Sequence, residues 1–563
     1  MSGRTVSLAG TGPAAEAVRA ALDDADAELV ATEPDALADP DPELAVAVGI
    51  TGDESLVAAN AAARAADCPL ILVEIGGLGG QAHDDVGAAV VALAPDGACY
   101  DCLRRRVERA PGTPSADKSD VRLAGAHAGR RAVSALDGEF ESGVFELPGA
   151  RPRTLLPDPD CACAPAPDSL SLSYRERGVD AAADAAERGV DRRVGVVAAA
   201  GERDSFPAPY YLAQLRASLG EGVPEQAAGV DADWDAAYVK ALGEAYERYA
   251  AARTRGPERT AEAEDLPNAV PVERFVRPDD APAPPSELSW TPGLDLHDGS
   301  EAWLPTEFVR FPPADERLRP AITTGLGLGS STVDAVRSGL SEVVERDATM
   351  LSWYSTYEAL GLSVETERFD TLRRRANAED LSVQALLVTG DVDVPVVAVA
   401  VHRDDWPAFA VGSAAGLSPA GAAESALCEA LQNWMELRAL GRDRAGEAGG
   451  AVARYADFPR EVHEFVAPET TVPAAEVGPT DPPAGEDALD ALLERVADAG
   501  LDAYAARVTT RDVAAMGFEA VRVLVPAAQP LFVSDSYFGE RAREVPRELG
   551  FRPRLDRPFH PYP

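Results

Sequence analysis

One short pattern occurs twice in this chain and limits its fold more than any other feature. The first copy reads Ala241-Leu-Gly-Glu-Ala-Tyr-Glu-Arg248, and the second reads Gly339-Leu-Ser-Glu-Val-Val-Glu-Arg346. A third stretch, Ala426-Leu-Cys-Glu-Ala-Leu-Gln432, keeps the leucine and the first acid but carries an amide in place of the second acid. All three stretches lack proline and favour helix, so we predict three helices, each with these two side chains on one face.

The acids of the two full copies are candidates for a metal site. They are Glu244, Glu247, Glu342 and Glu345. Carboxylates three residues apart on a helix lie about 5–6 Å from each other at Cβ, and four of them in one place repel unless cations lie between them. The alternative is that Arg248 and Arg346 pair with the acid four residues earlier on an exposed helix surface, which stabilises a helix by only a few tenths of a kcal/mol.

The net charge excludes some partners. The chain has 563 residues, 46% hydrophobic content and a formal net charge of -42, so it predicts several globular domains without an exposed nucleic-acid surface. Lys118 and Lys240 are its only lysines. Such a composition is typical of a high-salt cytoplasm, where a Debye length of about 3 Å screens self-repulsion. A signal sequence and long apolar runs are missing from the sequence, so we expect a soluble cytoplasmic protein with no membrane partner.

The first part of the chain predicts an α/β domain. Strands are expected at Thr5–Gly10, Leu44–Val48, Leu70–Val73 and Ala89–Leu93, with a helix that follows the first strand as far as Leu22. Gly10-Thr-Gly12 at the first turn is typical of a Rossmann-like unit, and Glu33 lies at the distance that a ribose-binding acid needs. A lone Gly-x-Gly does not establish a nucleotide site, so a purely structural α/β unit stays the alternative.

Four cysteines form two close pairs, Cys99 with Cys102 and Cys161 with Cys163. Two such pairs in a reducing compartment are what a tetrahedral thiolate site uses, so we predict a structural Zn²⁺ ion. The second pair has a single intervening residue instead of the usual two or more. The alternatives are ordinary thiols, or a redox pair in the first of the two motifs. Cys68 and Cys428 lie in helix-like apolar sequence, which predicts buried packing residues.

The rest of the chain alternates helix and strand patterns. We predict a helix from Trp234 to Ala252, strands at residues 194–200, 386–388, 395–401 and 521–526, and polar surface segments at 255–285 and 441–487. The Gly- and Ser-rich stretch Thr323–Ser331 predicts a loop before the second repeat helix, where backbone N–H groups can face phosphates. It is not a Walker A loop, because the chain has no Gly-Lys-Ser/Thr. For the proline-rich end, Arg557–Pro563, a disordered tail is the simple alternative.

The order of these motifs resembles the YcaO superfamily over roughly Ala164 to Pro563. Two Glu-x-x-Glu-Arg helices, the second after a Gly-rich loop, then Glu-x-x-Gln and a proline-rich tail carry the resemblance. Further matches are Ala228-Gly-Val-Asp231, Trp353-Tyr354 and Val525-Pro-Ala-Ala-Gln-Pro-Leu531. The first part looks like the ThiF/E1-like domain of azoline-forming cyclodehydratases, on the motifs Gly-x-Cys99-x-x-Cys102 and Leu-Pro-x-Pro-x-Cys161.

The resemblance implies an α/β fold with a Rossmann-like ThiF/E1-type domain and a four-cysteine zinc site at residues 1–165. A larger α+β YcaO domain of repeated helix–sheet units would follow at residues 166–563. Such enzymes use ATP and Mg²⁺ to phosphorylate the backbone amide oxygen of a ribosomal peptide, and the simplest outcome is cyclodehydration of Cys, Ser or Thr to azolines. By motif, the Mg²⁺ ligands would be Glu244, Glu247, Glu342 and Glu345, the nucleotide and phosphate contacts Lys240, Arg248, Arg346, Glu429 and Gln432, and the catalytic tail residues Pro561 and Pro563.

Two other functions stay open at this point. One is ATP-dependent backbone thioamidation with a sulfur donor, and the other is a non-catalytic scaffold that binds a peptide. The intact acid pairs count against the scaffold, and the ThiF/E1-like part counts against thioamidation, whose enzymes typically lack it. The resemblance implies a precursor peptide, an accessory leader-binding or sulfur-donor protein, and a second copy in a homodimer as partners.

The sequence departs from the family pattern at two positions. Lys240 stands where the family usually has Ser, and Phe559 stands where relatives often have Pro. Lys240 could bind phosphate or pair with Glu244 four residues later. A separate winged-helix unit for leader recognition is not evident in the sequence.

Overall fold

The chain divides into two units in the computed structural model, which describes residues 4–39, 41–109, 112–163, 169–216, 224–253, 256–314, 318–448 and 450–563. One unit comprises Met1–Pro165 together with Arg188–Ala198, and the other comprises Ala166–Glu187 together with Ala199–Pro563. None of the helices in the described ranges has the length and hydrophobicity needed to span a bilayer.

The first unit is built on one seven-stranded sheet in the order β2-β1-β3-β4-β5-β6-β7. The strands are β1 (Thr5–Ala9), β2 (Glu28–Thr32), β3 (Leu44–Ile50), β4 (Leu70–Ile75), β5 (Ala88–Leu93), β6 (Gly143–Leu147) and β7 (Arg151–Arg153). The helices are α1 (Pro13–Asp23), α2 (Glu54–Ala65), α3 (Tyr100–Arg106) and α4 (Lys118–Leu136). The four strands and the first helix that the sequence predicts are therefore present.

Helices cover both faces of this sheet. Its central strands are apolar along nearly their whole length, so both faces must be shielded from water. All six residues of β5 are buried, as are five of the six in β4. Helices α1 and α4 pack on one face, and α2 and α3 pack on the other. Strands β1 to β4 pair in parallel, whereas β5, β6 and β7 are antiparallel to their neighbours.

The second unit contains three sheets, in the orders β10-β9-β8, β11-β12-β20-β21-β14 (with β13 on β12) and β18-β17-β16-β15-β19. Its strands are β8 (Val197–Asp204), β9 (Tyr210–Leu215), β10 (Gln226–Val230), β11 (Arg259–Ala261), β12 (Leu288–Asp295), β13 (Glu301–Pro305), β14 (Leu326–Gly329), β15 (Leu360–Ser363), β16 (Ser382–Leu387), β17 (Val396–His402), β18 (Phe409–Ala415), β19 (Thr471–Pro473), β20 (Tyr504–Arg507) and β21 (Glu519–Leu524). Its helices are α5 (Val179–Glu187), α6 (Trp234–Arg253), α7 (Thr306–Val309), α8 (Thr332–Trp353), α9 (Glu367–Asn377), α10 (Pro419–Leu440), α11 (Arg442–Ala448), α12 (Gly450–Tyr455), α13 (Ala474–Val477), α14 (Gly485–Asp498), α15 (Arg511–Met516) and α16 (Arg541–Glu548).

Three strand–helix units, β10–α6, β14–α8 and β18–α10, repeat the same packing. Each strand is the terminal strand of its sheet, and each is followed by a long helix that packs on it. A glycine in the strand lets the helix approach closely: a Cβ on Gly327 would lie 2.2 Å from the carbonyl oxygen of Ala335. Gly229 and Gly412 occupy the corresponding places in the other two units. The three stretches that the sequence singles out are thus helices in equivalent positions.

Three expectations about the second unit are wrong in detail. The strand expected at residues 194–200 begins at Val197, because the Asp191 side chain accepts the backbone N–H groups of Arg193 and Val194 and turns the chain there. Residues 256–285 are not merely a surface excursion, since Phe275 is buried and lies 4.5 Å from Phe308, ring to ring.

The segment 441–487 is likewise part of the fold. Its strand β19 pairs in parallel with β15, and Tyr455, Val462 and Phe465 are buried in the main hydrophobic core. This core also includes residues of α8, α14, β17 and β21. Cys68 and Cys428 are buried as expected, but Cys68 lies in the turn before β4, not in a helix.

Candidate active site

The first acid of each repeat helix accepts a hydrogen bond from a backbone N–H group that lies in its own partner strand or directly before it. Ala228 donates to Glu244 at 3.2 Å, Gly325 to Glu342 at 3.0 Å and Ser413 to Glu429 at 2.6 Å. The donors precede their acids by 16, 17 and 16 residues. The three units therefore orient their first acids in the same way.

The second acids are more deeply buried in their surroundings. Burial raises the pKa of Glu247 to about 7, and the neighbouring carboxylates of Glu342 and Glu244 raise it as well. Burial, Glu429 and Glu342 likewise raise the pKa of Glu345 to about 8, although the hydroxyl of Ser413 donates to this carboxylate at 2.7 Å. A divalent cation among these groups would favour their ionised forms.

Arg346 links the acids of two helices. Its guanidinium lies 3.9 Å from Glu342, 3.4 Å from Glu345 and 3.8 Å from Glu429. Burial opposes its charge, but these three carboxylates together raise its pKa above the usual range. The arginine side chain is 13% exposed, so this is not the exposed surface pair that the sequence left open.

Arg248 makes the equivalent contacts on α6. It lies 3.6 Å from Glu244 and 3.5 Å from Glu247. Glu342 on α8 also raises the pKa of Glu247, so the acids of α6 and α8 act on each other electrostatically. We call Glu244, Glu247, Glu342, Glu345 and Glu429 the acid cluster.

The third helix contributes one further acid to which the sequence reasoning gave no role. Glu436 accepts hydrogen bonds from Gln432 and from the hydroxyl of Tyr210, both at 3.1 Å. Burial raises its pKa, and Glu244 contributes in the same direction. Its position seven residues after Glu429, on the same helix face, is the signal that could have identified it.

The Gly- and Ser-rich stretch is not an open loop. Leu326–Gly329 forms strand β14, which pairs antiparallel with β21, so the prediction of a loop is wrong for these residues. The alternating glycines serve the close packing of β14 on α8. Ser331 begins the helix by accepting the N–H of Asp334 in its side-chain cap.

Lys240 has a different partner from the one considered in the sequence. Its ammonium lies 2.7 Å from a carboxylate oxygen of Asp231, and it pairs with this acid instead of Glu244. Asp231 is 1% exposed and also pairs with Arg368. Burial opposes the charge of Asp231, but Lys240 and Arg368 lower its pKa below the ordinary value.

The C-terminal segment Arg557–Pro563, which we call the tail, lies along α8. The Trp353 indole donates to the carbonyl of Pro558 at 2.8 Å, and Arg346 donates to the carbonyl oxygen of Pro563 at 3.2 Å. Tyr562 is 1% exposed and Pro561 is also buried. The tail is therefore ordered, which rules out the simple alternative of a disordered end, and it reaches the arginine of the acid cluster.

In the first unit, the four cysteines converge. Cys99 Sγ lies 3.8 Å from Cys102 Sγ and 3.6 Å from Cys161 Sγ, and Cys102 Sγ lies 3.5 Å from Cys163 Sγ. Four thiolates at about 2.3 Å from a tetrahedral zinc ion would be separated by about 3.8 Å. In the described ranges, this is the only group of three or more His, Cys, Asp or Glu side chains whose ligand atoms all lie within 4.8 Å.

Three of the four cysteines are buried, and Cys163 is half-buried. Hydrogen bonds with Cys163 and Cys99, then burial, raise the pKa of Cys102, and burial raises that of Cys161 to about 12. The helix that carries Cys102 is fixed at its start by Asn60, which accepts the backbone N–H of Tyr100 at 3.0 Å.

Gly10 at the first turn of this unit has a structural reason. A Cβ at this position would lie 2.5 Å from the carbonyl oxygen of Val48, and its φ is +105°. Close packing of β1 against β3 therefore explains the glycine without a nucleotide. Glu33 is exposed directly after β2, where the sequence placed it.

A protein-family comparison matches residues 228–529, more than half of the chain. The family is described as YcaO cyclodehydratase, ATP- and Mg²⁺-binding. The matched range begins at Ala228, the donor to Glu244, and includes the whole acid cluster. An uncharacterized protein from Methanothermobacter thermautotrophicus is 29% identical over 361 residues, which is 60% of this chain and 91% of that protein.

Two solved structures share the fold of nearly the whole chain. A heterocyclase in complex with substrate and cofactor has a TM-score of 0.73 at 18% identity, covering 97% of this chain and 83% of its own. The heterocyclase TruD has a TM-score of 0.65 at 17% identity, covering 97% of this chain and 82% of its own. At this level of identity the similarity concerns the fold.

Proposed function

Because the chain belongs to the YcaO cyclodehydratase family, which binds ATP and Mg²⁺, it is an enzyme, and we propose that it forms azolines in a ribosomally made peptide. A Cys, Ser or Thr side chain adds to the preceding backbone carbonyl. The resulting oxygen takes the γ-phosphoryl group of ATP and ADP leaves. Phosphate then departs with that oxygen as the C=N bond forms, so the peptide loses the elements of water.

The observation that carries this proposal is the convergence of three equivalent helices on one acid cluster. Glu244, Glu247, Glu342 and Glu345 would hold Mg²⁺ against the ATP phosphates, since carboxylate oxygens are the ligands that Mg²⁺ prefers. No three of these side chains have ligand oxygens within 4.8 Å of one another, as suits an ion that keeps waters and phosphate oxygens in its coordination sphere. This ion would offset the negative charge that gathers during phosphoryl transfer.

The remaining polar residues would bind the nucleotide. Arg248 and Arg346 would contact phosphate or orient the acids, and Glu429 with Gln432 would complete the site. Lys240 would add a cation near the phosphates, held in place by Asp231, which it contacts at 2.7 Å.

The tail would position groups for catalysis. Its contact between Pro563 and Arg346 supports this role, because the arginine also contacts three members of the acid cluster. Pro561 would hold the last residues in register by its burial.

We further propose that Cys99, Cys102, Cys161 and Cys163 bind structural Zn²⁺, since their sulfur separations fit a tetrahedral thiolate site. The parallel β1-α1-β2 unit supports a Rossmann-like ThiF/E1-type domain at residues 1–165, followed by the catalytic domain at residues 166–563. The acidic, lysine-poor composition supports a halophilic cytoplasm as the working environment. A precursor peptide, with an accessory leader-binding protein, would be the partner.

Mass spectrometry of candidate peptides tests the reaction. The full chain is incubated with Mg–ATP and Cys-, Ser- or Thr-containing peptides at high KCl. Cyclodehydration removes about 18 Da per modified residue, whereas oxygen-to-sulfur exchange with a sulfide source would add about 16 Da. A gain of mass would replace the proposal with thioamidation, and peptide binding without ATP turnover would replace it with a scaffold.

A further inference from the structure

A cavity of about 320 Å³ opens beside the C-terminal end of α8. Its apolar wall includes Trp353, Leu360, Leu386, Val388 and Phe465. Four of these five side chains are at most 4% exposed and belong to the main hydrophobic core. The volume lies at the lower end of the range for ligand cavities, so the cavity suits one long side chain better than a nucleotide.

Three exposed carboxylates also line this cavity, those of Glu358, Glu464 and Glu469. Glu464 pairs with Arg557 of the tail. Glu358 and Glu469 make no ion pair or side-chain hydrogen bond with another residue of the described ranges. Exposed acids without a partner are common in a chain of this composition, so these two acquire meaning only from the wall beside them.

That wall already binds one guanidinium group. Arg557 stacks over the Trp353 ring at 4.0 Å from the centroid, pairs with Glu464, and donates to the carbonyl oxygen of Trp353 at 3.0 Å. An aromatic face, a carboxylate and apolar surface for the stem are what a largely buried arginine needs. The same cavity offers a second aromatic ring, Tyr357, and two carboxylates without a cation.

The cavity lies two helical turns along α8 from the acid cluster. Trp353 follows Arg346 by seven residues, which places the two on one helix face about 10 Å apart. The tail spans the same distance, because Trp353 donates to the carbonyl of Pro558 and Arg346 to that of Pro563. An extended peptide beside the tail would cover it in three or four residues at about 3.3 Å each.

We propose that this cavity binds an arginine side chain of the peptide substrate, three or four residues from the residue that is modified. This inference rests on the proposed function, in which a peptide reaches the acid cluster. Glu358 and Glu469 accept the guanidinium N–H groups, and the apolar wall contacts the stem. Contact pairs of this kind persist at high salt, where a Debye length of about 3 Å screens attraction over longer distances.

Binding of synthetic peptides to the full chain tests this site. The probes are fluorescein-labelled peptides of Gly and Ala with one cysteine and one arginine, placed four residues before the cysteine or four residues after it. In matched probes, uncharged citrulline replaces the arginine. Fluorescence anisotropy at high KCl should show that the wild type binds at least one arginine probe at least tenfold more tightly than its citrulline counterpart. A lysine probe should retain part of this preference.

The double substitution Glu358→Gln with Glu469→Gln should abolish the preference for arginine. Both side chains are exposed, so the fold should be kept, and thermal melting checks this. The matched control is Glu476→Gln with Glu486→Gln, which removes the same charge at exposed positions outside the cavity. This control should keep the wild-type preference, because the cavity and not the net charge selects the probe.

Three results would overturn the proposal. They are equal or undetectable binding of the arginine and citrulline probes by the wild type, a preference that survives in the folded double variant, and a preference that the control also loses. The titrations need no ATP. A chain that prefers arginine but forms no azolines would therefore reject the proposed function alone, and azoline formation with no preference for arginine would reject the cavity alone.

Discussion

Ser413 donates its hydroxyl to Glu345 at 2.7 Å, across the gap between two of the repeat helices. The backbone N–H of the same serine donates to Glu429 at 2.6 Å. One residue in the terminal strand of a sheet, β18, therefore binds an acid of α8 with its side chain and an acid of α10 with its main chain.

Substitution Ser413→Ala should move the pH dependence of ATP turnover. The hydroxyl favours the ionised form of Glu345, whose pKa burial already raises to about 8. Loss of the hydroxyl should raise the pKa of Glu345 further. The pH at which kcat/KM for ATP rises, measured at limiting Mg²⁺, should therefore shift upward by about one pH unit, and the pH dependence of Mg²⁺ binding should shift with it. Ser413→Thr keeps a hydroxyl and should retain the wild-type profile. Identical profiles for Ser413→Ala and wild type would mean that Glu345 does not titrate in the reaction.

Glu342→Gln should separate the charge of this side chain from its hydrogen bond. The amide oxygen can still accept the N–H of Gly325, so the fold should be kept while a Mg²⁺ ligand is lost. We expect ATP turnover to fall by roughly 100-fold and the Mg²⁺ concentration for half-maximal rate to rise. Glu494→Gln, at an exposed position of α14, is the control. Full turnover in Glu342→Gln would refute the metal assignment.

His560 should make the stability of the tail region depend on pH. Burial lowers its pKa to about 4, and its Nε2 lies 2.8 Å from the carbonyl oxygen of Phe532. A folded-state pKa below the unfolded value of about 6.5 gives stability that is complete above pH 6.5 and is lost as pH falls toward 4. Urea denaturation should show that the free energy of unfolding of the wild type falls by about 2 kcal/mol between pH 8 and pH 5. The His560→Gln variant should lack this fall. An equal loss in both proteins would assign the effect to other groups.

Tyr562→Ala should detach the tail from α8. The ring is 1% exposed and lies 6.0 Å from that of Phe465, edge to face. Its removal should cost about 3–5 kcal/mol of local packing, free Pro563 from Arg346, and reduce ATP turnover at least tenfold. Tyr562→Phe keeps the ring and should be nearly as active as wild type. Kinetics of both variants, with melting temperatures, decide whether tail order matters for catalysis.

Cys161→Ser should remove zinc from the purified chain. Wild type is expected to contain about one zinc ion per chain by elemental analysis, and the variant well under half of that with a lower melting temperature. Cys68→Ser changes a buried cysteine outside the group and should retain the metal. Wild-type protein purified without chelators that contains no zinc would contradict the assignment.

The sequence is sufficient to predict the three helices and four of the seven strands of the first unit, because their signals are local. Proline-free, periodic stretches and continuous apolar runs are properties of a short window. The acid pairs can also be placed on one helix face, since spacing alone determines that. The family follows from the order of the motifs, and the comparison over residues 228–529 confirms it.

Contacts between distant segments could not be predicted in the same way. Ser413 and Glu345 are 68 residues apart in the sequence. Lys240 pairs with Asp231, which lies before the turn between β10 and α6, and the spacing of Lys240 to Glu244 does not indicate this partner. The stretch Thr323–Ser331 is misleading because glycine is common in loops and equally in strands that a helix approaches closely. Gly229 precedes Glu244 at the same spacing at which Gly327 precedes Glu342. This repeated spacing is the sequence signal that could have indicated a strand packed closely on the helix.

The first acids of the three helices are held by main-chain donors, and this has a consequence for how the site can change over time. A side-chain anchor disappears with a single substitution, but a backbone N–H is present whichever residue occupies the position, proline excepted. Position 325 is restricted to glycine, because its φ is +90° and a Cβ there would lie 2.2 Å from the carbonyl oxygen of Val523. Drift at residues 228 and 413 can nevertheless alter size and polarity around the site while the orientation of Glu244 and Glu429 survives. Such mutational tolerance fits a fold that is shared at a TM-score of 0.73 when only 18% of residues are identical.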